Sequence, residues 1–416
     1  MYWDADLSQY VVTPSGTIIS PPEMATGYSW TNAFNITDTN GNFMSGGSVI
    51  HDTSSATASA LTMSGSGTAS SPETYTYVAP SGANATYTVK YTNYNIQTNF
   101  ACFGITEYSA SSVPLVSEID LPDQATHTSD RYTFTYEPTP GWTGYYTGRI
   151  ASVTLPTGGT ISYTYTGGSN GINCSDGSTS GLTRVTPDGT WSYSQSIGTT
   201  TIIDPQGNET VMNFQGVYPT STQFYSGTST LLKTLSTCYN GSCGSFSLPI
   251  TSKADYVQWA GSGGLQSETV TDYNSHGLVT EVDEYGYGSG SAGSLIRKTL
   301  TTYNTSLTNN IIDKPSEVKV EDGSSAVKAD TTYSYDGSSV TATSGTPQHN
   351  AITGSRGNLT TVSTLVAGST YLTKTFSYYD TGNVYQATDV NGAVTRGTLD
   401  ALYSVMPKHA KFVWIL

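Results

Sequence analysis

Two carboxylates in the second half of the chain have the spacing of an acid and base pair. Glu281 and Asp283 alternate along a run of strand-like residues, which places both side chains on one face of the predicted strand. A glycosidase uses two such carboxylates when one is held protonated and both flank a sugar. Acidic side chains on a solvated strand face give the same pattern. We interpret the pair as surface acids and assign no catalytic residue.

Other chemically suggestive motifs lack the context that their chemistry requires. The Gly-x-Ser-x-Gly run at residues 167–171 is not followed by a helix, which a nucleophile elbow needs. The turn at residues 38–42 resembles a calcium loop, but Val49 stands where the distal Glu of that loop belongs, and calcium at a turn stays an open alternative. The five histidines are scattered, and we predict no cofactor. They are His51, His127, His276, His349 and His409.

The four cysteines are Cys102, Cys174, Cys238 and Cys243. Only Cys238 and Cys243 are close in sequence, and residues 239–242 between them have turn character that would bring the two Cβ atoms within bridging distance. We predict a disulfide between these two, with free thiols as the alternative. Neither Cys-x-x-Cys nor His-x-x-x-His occurs, which argues against a cysteine zinc site.

Short runs of aromatic and β-branched residues, separated by Gly, Asn and Asp, indicate an all-β protein. In residues 373–395, two predicted strands at 373–379 and 384–388 are joined by a turn at 380–383 and followed by a tight turn at 389–392. Similar runs recur along the chain, and no helical apolar period persists. The pattern also predicts strand, loop and strand over residues 101–120, and a turn at 283–286.

Composition supports many short strands closed by polar turns. The 416 residues include 43 Gly and 31 Tyr, and only 11% are charged, against about 25% in an average globular chain. The net charge of −15 opposes binding to nucleic acid or an anionic membrane. No apolar run is long enough to span a bilayer, and the N-terminus has no recognisable export signal.

The recurring order of Tyr-Asp, Gly-Asn and Asp-x-x-Gly resembles the RHS-repeat or YD-repeat family over roughly residues 132–395. In the best copy one residue, Thr381, separates Tyr-Asp from Gly-Asn, where the family usually has two. The resemblance implies a spiral of antiparallel strands and hairpins that forms part of a hollow shell. The repeat-defining residues are Tyr333, Tyr335, Asp336, Tyr379, Asp380, Gly382, Asn383, Asp389 and Gly392.

The resemblance also implies an organisation and a function. We expect a Ser/Thr/Gly-rich β region with degenerate repeats at residues 1–125, the repeat region at 126–398, and an atypical tail at 399–416 that could be a strand, a membrane-seeking peptide or a fragmentary reading frame. The chain is expected to be a non-enzymatic piece of a longer bacterial RHS protein, extracellular or at the cell surface. Its expected partners are the remaining RHS polypeptide or a C-terminal cargo.

Two alternatives stay open at this point. RHS proteins that carry a toxic cargo cut themselves near Asp-Pro-x-Gly-Leu, and residues 204–207 match its start, but Asn208 replaces the Leu. We favour an ordinary Pro-containing turn there. The recurring tyrosines are interpreted as cross-strand ladders; exposed rings that stack on glycans would instead make the chain a cell-surface carbohydrate-binding or adhesion module.

Overall fold

The structure, a computed structural model, describes residues 2–3, 9–20, 24–25, 29–30 and 34–397, except 54, 56, 105, 176 and 262. Every regular element in these ranges is a β-strand, which confirms the predicted all-β class. The described residues contain no helix long and apolar enough to cross a membrane. The tail at residues 399–416 lies outside the described residues.

The strands are β1 Tyr2–Trp3, β2 Gln9–Val12, β3 Ile18–Ser20, β4 Met24–Ala25, β5 Ser29–Trp30, β6 Phe34–Thr37, β7 Phe43–Gly46, β8 Val49–His51, β9 Leu61–Ser64, β10 Glu73–Val78, β11 Asn84–Gln97, β12 Ser109–Asp120, β13 Arg131–Pro138, β14 Tyr146–Thr154, β15 Thr160–Gly167, β16 Ser180–Thr186, β17 Gly189–Ser196, β18 Thr199–Ile203, β19 Glu209–Gln215, β20 Tyr218–Ser226, β21 Thr230–Tyr239, β22 Ser252–Trp259, β23 Leu265–Tyr273, β24 Val279–Ser289, β25 Leu295–Tyr303, β26 Pro315–Asp322, β27 Val327–Tyr335, β28 Leu359–Ala367, β29 Thr370–Tyr378, β30 Val384–Thr388 and β31 Val394–Arg396.

One long antiparallel sheet contains nearly all of these strands. From β6 to β31 each strand pairs with the next in the chain. Strands β1, β2 and β3 join this sheet through β6, while β4 and β5 pair separately. The sheet continues across the expected boundary between residues 125 and 126, because β12 pairs with β13.

Successive connections lie on opposite rims of the sheet because consecutive strands run antiparallel. One rim, here called the loop rim, carries the long connections at residues 98–108, 168–179, 240–251, 304–314 and 336–358. The other, the turn rim, has mostly short connections such as residues 323–326 and 368–369, apart from 121–130. The longer segments that can hold a functional site are therefore concentrated on the loop rim.

The sheet has little buried core. The chain exposes 23827 Å², whereas a compact protein of 44.0 kDa would expose about 15,500 Å². Ile311, which is 1% exposed, is the one fully buried large side chain among the described residues. A sheet without a second layer packed over it accounts for both observations, because its two faces stay partly solvated.

Two local predictions were wrong. Residues 101–104 are not a strand: the Glu107 carboxylate accepts the backbone N–H groups of Phe100 and Ala101, both at 2.7 Å, in place of a strand partner. Residues 283–286 are not a turn but continue β24. Cross-strand pairing there is stabilised because Glu284 binds Arg297 of β25.

The hairpin at residues 373–395 has the predicted order. Strand β29 ends at Tyr378, β30 spans the predicted residues 384–388, and turns at 379–383 and 389–393 follow them. Gly382 and Gly392 have φ angles of 82° and 78°, in the left-handed region that glycine adopts without strain.

Candidate functional site

Several strand tyrosines donate their hydroxyl group to a backbone carbonyl of the preceding strand. Tyr335 at the end of β27 donates to Pro315 O at the start of β26, at 2.8 Å. Burial raises the pKa of Tyr335 to about 12. Tyr333, two residues earlier, pairs with Val362 of β28. The same bond recurs in the pairs Tyr136 and Val116, Tyr165 and Ile150, Tyr239 and Pro219, Tyr303 and Val279, and Tyr378 and Leu359.

These hydroxyl bonds predict a specific stability effect. Replacing Tyr335 by Phe keeps the ring but leaves the Pro315 carbonyl without this donor, so we expect a loss of about 1 kcal/mol in unfolding free energy. The matched control is Tyr333→Phe, because the Tyr333 hydroxyl makes no hydrogen bond to a described residue, and its effect should stay within about 0.5 kcal/mol. Urea unfolding of the two variants measures the difference, and equal losses would contradict the assignment.

Some polar turns are closed by a side-chain oxygen that binds two backbone N–H groups, whereas in the Asp-x-x-Gly turn at residues 389–392 the Asp389 carboxylate accepts the N–H group of Val390. In the turn at residues 204–208, Asp204 Oδ1 accepts the N–H groups of Gln206 and Asn208 at 2.9 and 2.8 Å. The hydrogen bond from the Asn208 side chain, with these backbone bonds, lowers the pKa of Asp204. Asn274 closes the equivalent turn before β24 in the same way. The geometry favours a turn role for Asp204.

The lowered pKa of Asp204 predicts acid sensitivity. Its folded-state pKa lies below the value of about 3.9 for a free Asp, so its stabilising contribution is complete above that value and is lost as pH falls through the lower folded value. We expect Asp204→Asn, which keeps the acceptor oxygen as Asn274 does, to lose less stability between about pH 5 and about pH 2 than the parent. Urea midpoints across this range measure it, and parallel curves would contradict it.

The Asp of each Tyr-Asp pair anchors the long loop at residues 336–358. The Asp336 carboxylate accepts the backbone N–H groups of Arg356, Gly357 and Asn358, each at 2.9 Å. Asp380 accepts the hydroxyl group of Thr343 at 2.7 Å and its backbone N–H at 3.1 Å. The repeat-defining carboxylates therefore position a loop on the loop rim.

The N-terminal turn at residues 38–42 lies against this loop and forms a junction, defined here as residues 38–42, 349–358 and 380–382. Asn358 Nδ2 donates to Asn40 Oδ1 at 2.8 Å, and Asn40 Nδ2 donates back to Asn358 Oδ1 at 3.1 Å. Asn42 and His349 form an isolated antiparallel bridge. The junction joins parts of the chain more than 300 residues apart.

A second contact lies beside the junction. Ile312 N donates to Pro14 O at 2.9 Å, and Ser15 bridges Ile311, the most buried side chain of the core. Residues 12–15, residues 38–45 and Asp52 therefore contact the loops at 304–314 and 336–358. By the alternation of connections, the turns at residues 13–17 and 38–42 lie at the turn-rim end of the N-terminal strands, and they contact the loop rim beside the C-terminal strands.

Close approach of backbone at the junction explains why glycine occupies positions 41 and 382. A Cβ atom on Gly41 would lie 2.1 Å from Asn350 O, and one on Gly382 would lie 2.5 Å from Asn40 Nδ2. Asn383, next to Gly382, donates to the Thr381 hydroxyl, while the Tyr379 hydroxyl donates to Gly397 O. These repeat-defining residues hold the turn on which the N-terminal segment rests.

Arg356 and His349 complete the junction. Arg356 Nη1 donates to Asn40 O and Asp380 O at 2.9 and 2.7 Å, and His349 Nε2 lies 3.0 and 3.2 Å from the same two oxygens. Both side chains line a cavity of about 400 Å³ that Asp380 also borders. The junction therefore combines structural contacts with a polar cavity.

The carboxylate pair on β24 shares a face, as expected, but is bound by a lysine. Lys298 of β25 binds Glu281, and its Nζ lies 3.4 Å from Asp283 Oδ1. The hydrogen bond with Glu281 raises the pKa of Lys298. This cross-strand ion pairing gives the two acids a structural role. Within the described ranges, no three His, Cys, Asp or Glu side chains are grouped as a metal site would require.

All four cysteines form disulfides. Cys238 bonds Cys243 across a turn, and Cys102 bonds Cys174, 72 residues away. The second pair joins the loops at residues 98–108 and 168–179 on the loop rim. The one sequence signal for the bond between Cys102 and Cys174 is the even number of cysteines, since pairing Cys238 with Cys243 leaves Cys102 and Cys174 for each other.

Neither a family model nor a curated protein matches the chain. Similar solved structures include a TcdB2-TccC3-Cdc42 complex, with 9% identity and a TM-score of 0.15 over 79% of this chain and 24% of that chain. A Photorhabdus luminescens Tc holotoxin pore has 9% identity and a TM-score of 0.14 over 84% of this chain and 24% of that chain. The chain thus spans about a quarter of each, and the TM-scores are too low to bear on function.

Proposed function

We propose that the chain is a non-enzymatic structural protein, part of an RHS-type β-shell that encloses or displays a polypeptide cargo. The observation that carries this proposal is the unbroken antiparallel sheet from β6 to β31, in a chain that exposes 23827 Å² in total. Folding into a compact core would bury far more of such a chain. A wall around another polypeptide needs this extended form.

The repeated side chains support the same role. The tyrosine hydroxyl groups join neighbouring strands, and the repeat-defining carboxylates Asp336 and Asp380 anchor a loop. These residues stabilise the sheet through contacts within the chain. At the junction the N-terminal turn binds the C-terminal loops, which favours a curved wall.

A polypeptide partner is supported by apolar side chains exposed near the turn rim. Leu232, Trp259, Tyr287 and Ile296 are 46%, 41%, 54% and 61% exposed on neighbouring strands from β21 to β25. Grouped exposed apolar side chains are typical of surfaces that another chain covers. We propose that the remaining RHS polypeptide or its cargo contacts this rim.

The two disulfides support an extracellular or cell-surface location of the parent protein. Such bonds persist in oxidising compartments and are rare in the reducing cytosol. All four cysteines take part in them.

Protection of a cargo is the direct test. The chain is co-expressed with the polypeptide encoded after it in the parent gene, and the product is digested with a protease. We expect the cargo to survive longer than the same cargo digested alone or mixed afterwards with the folded chain. Equal digestion in all three samples would contradict the proposal.

The non-enzymatic part of the proposal has its own test. We expect the purified chain, both unmutated and as Asp204→Ala, to show its full intact mass after prolonged incubation, since the Asp204 carboxylate is bound within its turn. Two fragments that form from the unmutated chain but not from Asp204→Ala would instead support an autoprotease.

A second candidate function, glycan binding, is favoured by one exposed aromatic pair. Trp142 and Tyr145 on the loop rim are 45% and 36% exposed, and their ring centroids lie 5.7 Å apart. Such rings could stack on a sugar. Glycan-array binding that is lost in Trp142→Ala would support glycan binding. Absence of array binding by the folded, unmutated chain would argue against it.

A further inference from the structure

The cavity beside the junction contains an arginine without an acidic partner. Arg356 Nη1 is bound to two backbone carbonyls, but its Nε and Nη2 groups make no hydrogen bond to a described residue. No ion pair joins Arg356 to a described carboxylate. Guanidinium groups bind carboxylates through two parallel N–H bonds. The free edge of Arg356 is therefore available to an anion.

The nearest acids are already engaged. Asp380 borders the cavity, but Thr343 donates its backbone N–H and its hydroxyl group to that carboxylate. Asp336 accepts three backbone N–H groups of the loop, including that of Arg356 itself. Neither carboxylate is ion-paired with the guanidinium, although the chain carries a net charge of −15. Within the described chain, Arg356 therefore has no ion-pair partner, although the Asp380 carboxylate borders the same cavity.

The rest of the lining is aliphatic. Val340, Ala342, Ala351 and Ile352 border the same cavity, together with His349, and its volume is about 400 Å³. His349 Nε2 is directed at the junction carbonyls, and its Nδ1 makes no hydrogen bond to a described residue. The cavity thus offers a guanidinium edge and an imidazole nitrogen beside a small apolar surface.

We propose that this cavity binds a carboxylate attached to a short aliphatic body. The carboxylate binds Arg356 Nε and Nη2, and the aliphatic part contacts Val340 and Ile352. No Phe, Tyr or Trp side chain lines the cavity, which disfavours a sugar as the ligand because sugar faces stack on such rings. A short-chain acid and the C-terminal residue of a peptide share the required chemistry.

The test uses saturation-transfer NMR on the full chain with four probes: butyrate, N-acetyl-valine, glucuronate and sulfate. We expect saturable binding of butyrate or N-acetyl-valine at millimolar concentration. Tighter binding of butyrate identifies a free short-chain acid as the kind of ligand, and tighter binding of N-acetyl-valine identifies a peptide C-terminus. For sulfate, competition against the bound probe gives the affinity. Absence of saturable binding by both aliphatic acids, or equal affinity for glucuronate or sulfate, overturns the proposal.

Two variants locate the binding. Ala342→Glu places a carboxylate at an exposed position on the cavity wall, between Thr341 and Thr343, and should weaken binding at least about tenfold. The melting temperature should stay unchanged, because the hydrogen bonds of Thr341 and Thr343 with Asp380 do not involve the Ala342 side chain. Arg356→Lys keeps the charge but removes the paired N–H groups, and should also weaken binding. Unchanged affinity in Ala342→Glu overturns the proposed location even if the chain binds a carboxylate.

Discussion

A Cys102→Ala/Cys174→Ala variant is expected to lose about 4 kcal/mol of unfolding free energy, whereas Cys238→Ala/Cys243→Ala loses about 2 kcal/mol. The difference follows from the chain closed by each bond: the sequence separations are 72 and 5 residues. A longer closed loop restricts the unfolded chain more. The first bond also ties together two long loops on the loop rim, so its loss should release them.

Urea unfolding of the two double variants measures this difference, and each serves as the control for the other. Protease cleavage within residues 98–108 and 168–179 provides a local readout, which should increase in Cys102→Ala/Cys174→Ala alone. Equal destabilisation by the two variants, or unchanged cleavage of these loops, would contradict the assigned role of the longer bond.

Asp336→Ala is expected to destabilise the protein by about 3 kcal/mol, because three backbone N–H groups lose their acceptor at once. The residue also has a φ angle of 55°, a conformation that Ala adopts less readily than Asp. The loop at residues 336–358 carries the junction, so we expect faster hydrogen exchange there and in the N-terminal turn at residues 38–42.

Asp336→Asn is the matched control, since Asn tolerates the same backbone conformation and keeps one acceptor oxygen. Its unfolding free energy should lie between those of the parent and Asp336→Ala. If Asp336→Ala accelerated exchange in the loop but left residues 38–42 unchanged, the loop would not be what holds the N-terminal turn.

Much of the fold follows from local sequence. Alternation of aromatic and polar residues at 74–79 and 85–94 predicts the strands observed as β10 and β11, because strand side chains alternate between faces. Residues 373–388 predict the hairpin of β29 and β30 in the same way. Gly382 and Gly392 predict turns because the backbone there needs positive φ. The same local reasoning was wrong at residues 283–286, where ion pairs with β25 keep turn-prone residues extended.

The junction could not be predicted in the same way. Asn40 and Asn358 exchange hydrogen bonds across 318 residues, and neither has a local pattern that names the other. The Gly- and Asn-containing run at residues 354–358 predicts a turn around Arg356, but the contacts of Arg356 with Asn40 and Asp380 depend on how three separate segments meet. Cys102 and Cys174 are likewise brought together by strand order, which sequence spacing does not reveal.

The central claim, that the wall brings its N-terminal strands against its C-terminal loops, is tested most directly by an engineered disulfide. Asn42 and His349 form an antiparallel bridge flanked by the hydrogen bonds from Phe43 N to Gln348 O and from Asn350 N to Gly41 O. Two residues that face each other in an antiparallel bridge without hydrogen bonds of their own have their Cα atoms close together, within the range that a disulfide spans.

The measurement is peptide mapping of Asn42→Cys/His349→Cys under non-reducing conditions. Asn42→Cys/His276→Cys is the control, since no hydrogen bond or bridge in the described chain joins the turn of His276 to residues 38–42. We predict a peptide that links positions 42 and 349 in most molecules, and none that links 42 and 276. Absence of the first link, or equal yields of both, would contradict the contact between the N-terminal strands and the C-terminal loops.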